Sequence, residues 1–279
     1  MKLIVCMLIL SSIYCLGVED CNAQSKSAKD NDVNSFDLVG GKVLQIEADY
    51  NYDKFNFDYS QSRLDLNANA KLLALPSLTV SYGVSEKIEI SYFSGISAVV
   101  TNGNITILLN QERKLITNKN IIGIGTSGFG FKLGAIREKG LRPSLNIEND
   151  LSMPFLGDPI FRPDNLGYNL SLNFHNTFSD LFDISYSAGN SWSGFDSSPY
   201  ATQQYSFNPG FTFSDNLSAN VNLFGYFNRK SSPLNKFSIG ISYDFDDNNS
   251  VEITGGSAFE KTNKYYFLGL SGTFLIDFN

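Results

Sequence analysis

Apolar and polar residues alternate along most of this chain. In its last segment Tyr266, Leu268, Leu270, Gly272, Phe274, Ile276 and Phe278 fall on one face. Tyr265, Phe267, Gly269, Ser271, Thr273, Leu275 and Asp277 fall on the other. A period of two sends successive side chains to opposite sides of a strand. The same pattern recurs at Leu217–Asn228, where Leu217, Ala219, Val221, Leu223, Gly225 and Phe227 alternate with Ser218, Asn220, Asn222, Phe224 and Tyr226. It returns at Phe237–Asp244 and Leu166–His175. Between such segments stand short polar elements: TFSDLF at 177–182, TFSDNL at 212–217 and DFDDNNSV from Asp244. Asp, Asn and Ser suit tight turns because their side chains bond nearby backbone.

The pattern predicts twelve strands, at 42–53, 74–84, 87–97, 126–136, 141–152, 165–177, 181–190, 203–213, 217–228, 236–246, 250–259 and 264–278. Short connections, near Ser85, Lys139, Ser179, Asp215 and Asn248, alternate with longer ones at 54–73, 98–125, 153–164, 191–202, 229–235 and 260–263. An even number of strands with short turns on one rim and longer loops on the other describes an outer-membrane barrel. The expected fold class is therefore all-β: a transmembrane antiparallel up-and-down β-barrel of about 12 strands, with both termini on the short-turn side. A soluble β-sandwich would also alternate. Against it stand bulky apolar residues on nearly every strand, a persistently polar opposite face, and an aromatic-rich terminal strand. Phe278 in that strand resembles the signal read by the barrel-assembly machinery, although Asn279 follows it.

Composition sharpens this picture. Aromatics make up 14% of the chain and charged residues only 18%, below the roughly 25% of a soluble domain. The opening MKLIVCMLILSSIYCLG has one lysine and then an apolar run, and Cys21-Asn22-Ala23 offers a small-residue cleavage site before Gln24. That is the layout of a secretory signal peptide over residues 1–23. Residues 24–41 are polar without a period and read as a flexible tail ahead of a barrel over 42–279. Cys6, Cys15 and Cys21 all precede Ala23, so the expected mature chain has no thiol. Its formal charge of −6, from 20 basic and 26 acidic residues, argues against nucleic acid as a partner.

Several residues resemble one known family. Tyr82-Gly83-Val84-Ser85-Glu86-Lys87-Ile88-Glu89-Ile90 is similar to the hairpin "YGlTdrlElg" of a transporter-like outer-membrane β-barrel family named for phenol-degradation meta pathways. Gly128-Phe129-Gly130-Phe131-Lys132-Leu133-Gly134 is similar to its next strand, "GlGDvtlglKy", with Thr126-Ser127 near the place of the family's Asp. Ser152-Met153-Pro154 resembles its strand-ending proline, but Phe155-Leu156 replace the Thr-Gly that often follows. The resemblance covers about residues 75–279 and implies an outer-membrane barrel assigned to transport, with no established substrate.

Candidate chemistry is sparse. His175 is the single histidine, and His175-Asn176-Thr177 lacks the serine of the outer-membrane phospholipases, also twelve-stranded. GIGTSGFG at 123–130 has no P-loop lysine, and glycine in a barrel strand more often allows a bend. Asp244-Phe245-Asp246-Asp247-Asn248-Asn249 lacks EF-hand spacing and reads as a turn. No enzyme, cofactor or metal is expected. The informative group is the face opposite the apolar stripe, the candidate lumen lining: Glu47, Asp49, Asp53, Glu89, Glu148, Asp150, Asp183, Asp244 and Glu252, with Lys132 and Arg142 as its basic members. Lys132, Arg142 and Glu148 are expected to cluster across adjacent strands. An acidic water-filled pore would favour cations. The same charges would otherwise fill a narrow barrel plugged by the N-terminal tail or a loop, and a restricted pore is the favoured form. The expectation is an outer-membrane protein in contact with the lipid bilayer, passing a small polar or aromatic solute. The alternative is a non-transport barrel whose loops 54–73, 98–125 and 191–202 meet a partner, with Trp192, Phe195 and Tyr200 as stacking or interfacial aromatics.

Overall fold

The computed structural model of the protein describes residues 38–278, except 55–58, 62–63, 68–69, 102–103, 110–111, 118–120, 193, 195–200, 229–230 and 260–265. The expected signal peptide, most of the expected tail, and Phe195 and Tyr200 lie outside the described residues. No helix occurs among those described. The strands are β1 Val43–Lys54, β2 Tyr59–Gln61, β3 Leu64–Asn67, β4 Ala70–Ser85, β5 Ile88–Thr101, β6 Asn104–Leu109, β7 Glu112–Thr117, β8 Ile121–Ile124 and β9 Gly128–Ile136. They continue as β10 Ser144–Ser152, β11 Gly167–Ser179, β12 Phe182–Trp192, β13 Thr202–Ser214, β14 Leu217–Asn228, β15 Ser231–Asp244, β16 Asn249–Ala258 and β17 Tyr266–Asp277.

Twelve of these strands close into one antiparallel barrel, in the order β1, β4, β5 and then β9 to β17. The seam is complete. β1 pairs with β17 from Val43↔Asp277 to Lys54↔Tyr266 and with β4 from Leu44↔Tyr82 to Lys54↔Lys71. Each expected strand has a counterpart, and closure leaves no sheet edge for lipid to meet. The registers skip Pro76 on β4 and break beside it, between Leu75 and Ser77. Proline cannot donate to a ladder and is confined to such irregularities.

Two regions expected to be loops, 54–73 and 98–125, contain strands instead. The β4–β5 ladder ends at Ala70↔Thr101 and resumes as Asn67↔Asn104 between β3 and β6. β2 and β7 flank that pair to make a separate four-stranded sheet. β4 and β5 span 16 and 14 residues, more than the roughly 9–11 that cross a bilayer, so this ladder continues past the membrane on the long-loop side. β8 adds to β5 beyond the end of β9, from Ile96↔Ile124 to Val99↔Ile121. Gly125–Ser127 interrupt the strand between β8 and β9, and there Met153 N–H donates to the Ser127 carbonyl and Asp158 N–H to that of Ile124.

Burial is inverted relative to a soluble domain. Among the described residues only Val39, Ala98 and Phe161 are buried hydrophobics, whereas Ser81, Glu89, Ser144, Asn146, Ser171 and Ser238 are buried and polar. Ile90, Phe131, Ile239, Ile241, Ile253 and Leu268 are 43–57% exposed on the opposite face. Water would penalise such a surface at about 25 cal/mol per Å², while hydrocarbon does not.

Candidate functional site: the barrel interior

The inner face is identified by a contact that crosses it. Phe224 on β14 and Phe267 on β17 meet at 6.1 Å between centroids although β15 and β16 lie between them. Two strands that far apart touch only on the concave side. From that anchor, the alternation assigns every wall residue to the interior or to the outside.

Toward the short-turn rim the interior is charged. The registers set Glu89 on β5 beside Lys132 on β9, and Lys132 beside Glu148 on β10. Lys132 Nζ lies 3.4 Å from Glu89 and 3.9 Å from Glu148. Glu89 is only 2% exposed, so its charge requires this pairing. Glu148, Asp150, Glu252, Glu47 and Asp49 find donors among the wall's amides and hydroxyls. Asn173 donates to Glu148 at 2.8 Å and Asn169 to Asp150 at 3.2 Å, and Gln204 donates to Asn169 at 2.6 Å. Glu252 accepts from Ser242, Thr254 and Asn220 at 3.0, 2.7 and 3.3 Å. Ser271 bonds Glu47, which lies within electrostatic reach of Asp49, Lys132 and Glu252, and Ser77 reaches Asp49 at 3.5 Å. Glycines on the adjoining strand leave room for several acids to lie against the wall. A Cβ at Gly130 would meet Asp150, one at Gly210 would meet Asp183, and one at Gly240 would meet Glu252.

The structure thus gathers Glu47, Asp49, Glu89, Lys132, Glu148, Asp150 and Glu252 on the inner face, with Glu47, Glu89 and Glu252 toward the short turns, Asp49, Lys132 and Glu148 near mid-strand, and Asp150 nearer the long-loop end of β10. Asp183 lies on the same face at the start of β12, and Asp244 closes β15. The side chain of Asp53 lies outside the described residues. Arg142 departs from expectation. It is exposed in the turn before β10, not on the wall, and its guanidinium donates to the Arg137 carbonyl at 3.2 Å. A bridge between Lys139 and Arg142 around Gly140, whose φ is 59°, delays β10 to Ser144. The cluster expected from Lys132, Arg142 and Glu148 is formed instead by Lys132 with Glu89 and Glu148.

His175 is also on the inner face. Its Nδ1 lies 2.9 Å from Ser185 Oγ and its Nε2 3.3 Å from Thr177 Oγ1, and Thr177 also bonds Glu138. The turn at Asp244–Asn249 is held by Asp246, which accepts from Asn248 N–H at 2.8 Å and from the Asn249 amide at 2.7 Å.

Toward the long-loop rim the interior is aromatic, which the pattern reading did not pick out. Lys236 on β15 stands 5.8 Å from the ring centroids of both Phe224 and Tyr226, close enough for cation–π attraction. Phe267 lies across Gly256, where a Cβ would strike its ring. The available signal was the presence of Phe224, Tyr226 and Phe267 at polar-face positions of otherwise alternating strands.

This architecture has known counterparts. An outer membrane channel from Pseudomonas putida F1 superposes with a TM-score of 0.64 at 12% identity, covering 88% of this chain and 98% of that one. The KdgM porin superposes at 0.47 and 11% identity, covering 81% and 97%. The CymD monoaromatic hydrocarbon channel does so at 0.47 and 12%, covering 87% and 90%. A search of curated proteins by sequence finds no match. Residues 27–276 match one family throughout, a span that includes both the Tyr82–Ile90 hairpin and the Gly128–Gly134 strand. With the barrel, its inverted faces and that match in agreement, the chain belongs to the family described as the MetA-pathway of phenol degradation.

Proposed function

We propose that the protein is a passive channel of the outer membrane, delivered there through a cleaved signal peptide. The observation that carries this reading is the closed wall with apolar residues outside and an acidic, hydrogen-bonded network inside. Six carboxylates, Glu47, Asp49, Glu89, Glu148, Asp150 and Glu252, share the interior wall with Lys132. Fixed negative charge in a confined aqueous path concentrates cations and repels anions. The rings of Phe224, Tyr226 and Phe267 offer a solute apolar faces at the other end, in keeping with the phenol pathway in the family's description. A small cation or neutral aromatic solute fits this interior better than an anion does. In planar bilayers under a KCl gradient, the reversal potential should report cation preference, and Glu252→Gln with Asp49→Asn should reduce it. Equal potentials for the parent and the double variant would remove the acidic-lumen argument.

A second reading draws support from the four-stranded sheet of β2, β3, β6 and β7, which extends the wall on the long-loop side. Such a sheet suits a surface-binding barrel. Replacing 104–117 by a short linker should then abolish binding of a partner and leave conductance unchanged.

A further inference from the structure

The short turns divide their rim by charge. Those joining β11 to β12, β13 to β14 and β15 to β16 carry Asp180, Asp215, Asp246 and Asp247 and no lysine or arginine. On the far side of the ring, the turns from β4 to β5 and from β9 to β10 carry Lys87, Arg137, Lys139 and Arg142 against Glu86 and Glu138. β5 and β9 are neighbours in the wall, so these two turns adjoin, and Arg137 bonds Glu86 at 2.9 Å. Glu138 is turned away from the patch. It is 5% exposed and accepts from the N–H and the hydroxyl of Thr177, on the inner face of β11. Asn176 precedes Thr177 and so belongs to the outer face, where its amide donates to the Leu141 carbonyl at 3.3 Å. The turn is thus clamped to the end of β11 from both faces, which sets Leu141 on the lipid side of the rim. Lys139 and Arg142 exchange backbone hydrogen bonds of 3.0 and 3.1 Å around Gly140, so their side chains leave the turn on one face. Like charges set directly opposite repel each other. Between them Leu141 is 84% exposed, with Val84, Ile136 and Phe178 also exposed nearby on the rim.

We propose that the Lys139–Arg142 turn binds the phosphate of an anionic phospholipid in the periplasmic leaflet of the outer membrane. The phosphate sits between Lys139 and Arg142 and relieves their repulsion, while Leu141 packs among the acyl chains. Arg142 uses one guanidinium donor on the Arg137 carbonyl, and the planar group has five. Short turns face the periplasm, so that leaflet is the one within reach. The exposed leucine favours a lipid over a free anion, which offers it nothing to pack against. Gly140, with φ 59°, and the two clamps on β11 fix the turn before a ligand arrives, so little order is lost on binding. Each basic side chain beside an anionic lipid surface is worth about fivefold in affinity. The aspartate turns across the ring repel the same headgroup, so the anionic lipid is held on one side only. The inference does not depend on the barrel conducting.

The test uses the chain from residue 24, folded in a zwitterionic detergent, with bound lipid counted by native mass spectrometry. Phosphatidylglycerol should bind at least about tenfold more tightly than phosphatidylethanolamine. Lys139→Gln with Arg142→Gln should remove that preference and leave phosphatidylethanolamine binding unchanged. Adding Asp180→Asn and Asp215→Asn restores the net charge from the far side of the rim, and phosphatidylglycerol binding should stay weak. All four positions are exposed, so the variants should fold, which heat-modifiable mobility verifies. Leu141→Ser should weaken both lipids alike. Equal preference in the parent and the double variant would overturn the site. Recovery of the preference in the quadruple variant would reduce it to overall charge and overturn the site as well. Displacement of the lipid by inorganic phosphate at equal concentration would overturn a lipid as the occupant.

Discussion

Toward the short-turn rim the barrel interior is a web of carboxylates held by amides and hydroxyls. Toward the long-loop rim it is a group of rings around one ammonium. Each acid has a partner one strand away, Glu89 in Lys132, Glu148 in Asn173, Asp150 in Asn169 and Glu252 in Ser242, and the network steps over a strand only where Asn220 meets Glu252 and Gln204 meets Asn169. The rings need no donor, so Phe224 and Phe267 meet across two intervening strands. A buried charge must be matched locally, whereas an apolar face is satisfied by any other apolar face. The acidic web is therefore set mainly by register and the ring cluster by reach. In the proposed channel, the first would fix the electric field and the second the bore.

That division can be broken at its weakest joint. Lys132→Met leaves Glu89 with the Val39 N–H alone, which donates to it at 3.1 Å, and should cost about 3–5 kcal/mol, the usual result of stranding a buried charge. Urea unfolding in detergent would show it. Adding Glu89→Gln should recover most of the loss, because removing both members of a pair spares the desolvation penalty. Failure of that recovery would mean that the acidic half is not organised around this pair. Phe224→Ala with Phe267→Ala should show a coupling of about 0.5–1.5 kcal/mol in a double-mutant cycle. It should also raise single-channel conductance with no change in reversal potential. A change in selectivity would show that rings and charges do not act separately. The smallest effect belongs to Lys236→Met, which removes cation–π contacts worth about 0.5–1 kcal/mol and adds slightly to cation preference.

The twelve wall strands were legible because lipid on one side and polar groups on the other impose alternation, residue after residue, as in β17. The same reasoning placed Glu89, Lys132 and Glu148 on one face and adjacent strands. It failed where that constraint ends. β3, β6 and β7 are short, and Glu112-Arg113-Lys114 shows no period of two, so a sheet beyond the bilayer read as loop. Arg142 was assigned by parity inside a segment where the chain is still turning about Gly140. Binary alternation also separates only apolar from polar faces. It put Phe224 and Phe267 on the polar face but could not show that they meet, since that depends on the position of β14 and β17 around the ring. Nor could it find the Val39–Glu89 bond, which joins a stretch without pattern to one with a strong pattern.

The seam between β1 and β17 joins the first strand of the wall to the last, over its whole length from Val43↔Asp277 to Lys54↔Tyr266. Such pairing has the highest possible contact order, so ring closure cannot begin while the chain is still being made. Until β17 emerges, β1 presents a bare row of amides and carbonyls to any neighbour. A nascent copy is thus vulnerable for the entire duration of its synthesis and export, and a stop codon even one strand early would leave the cylinder open down its side.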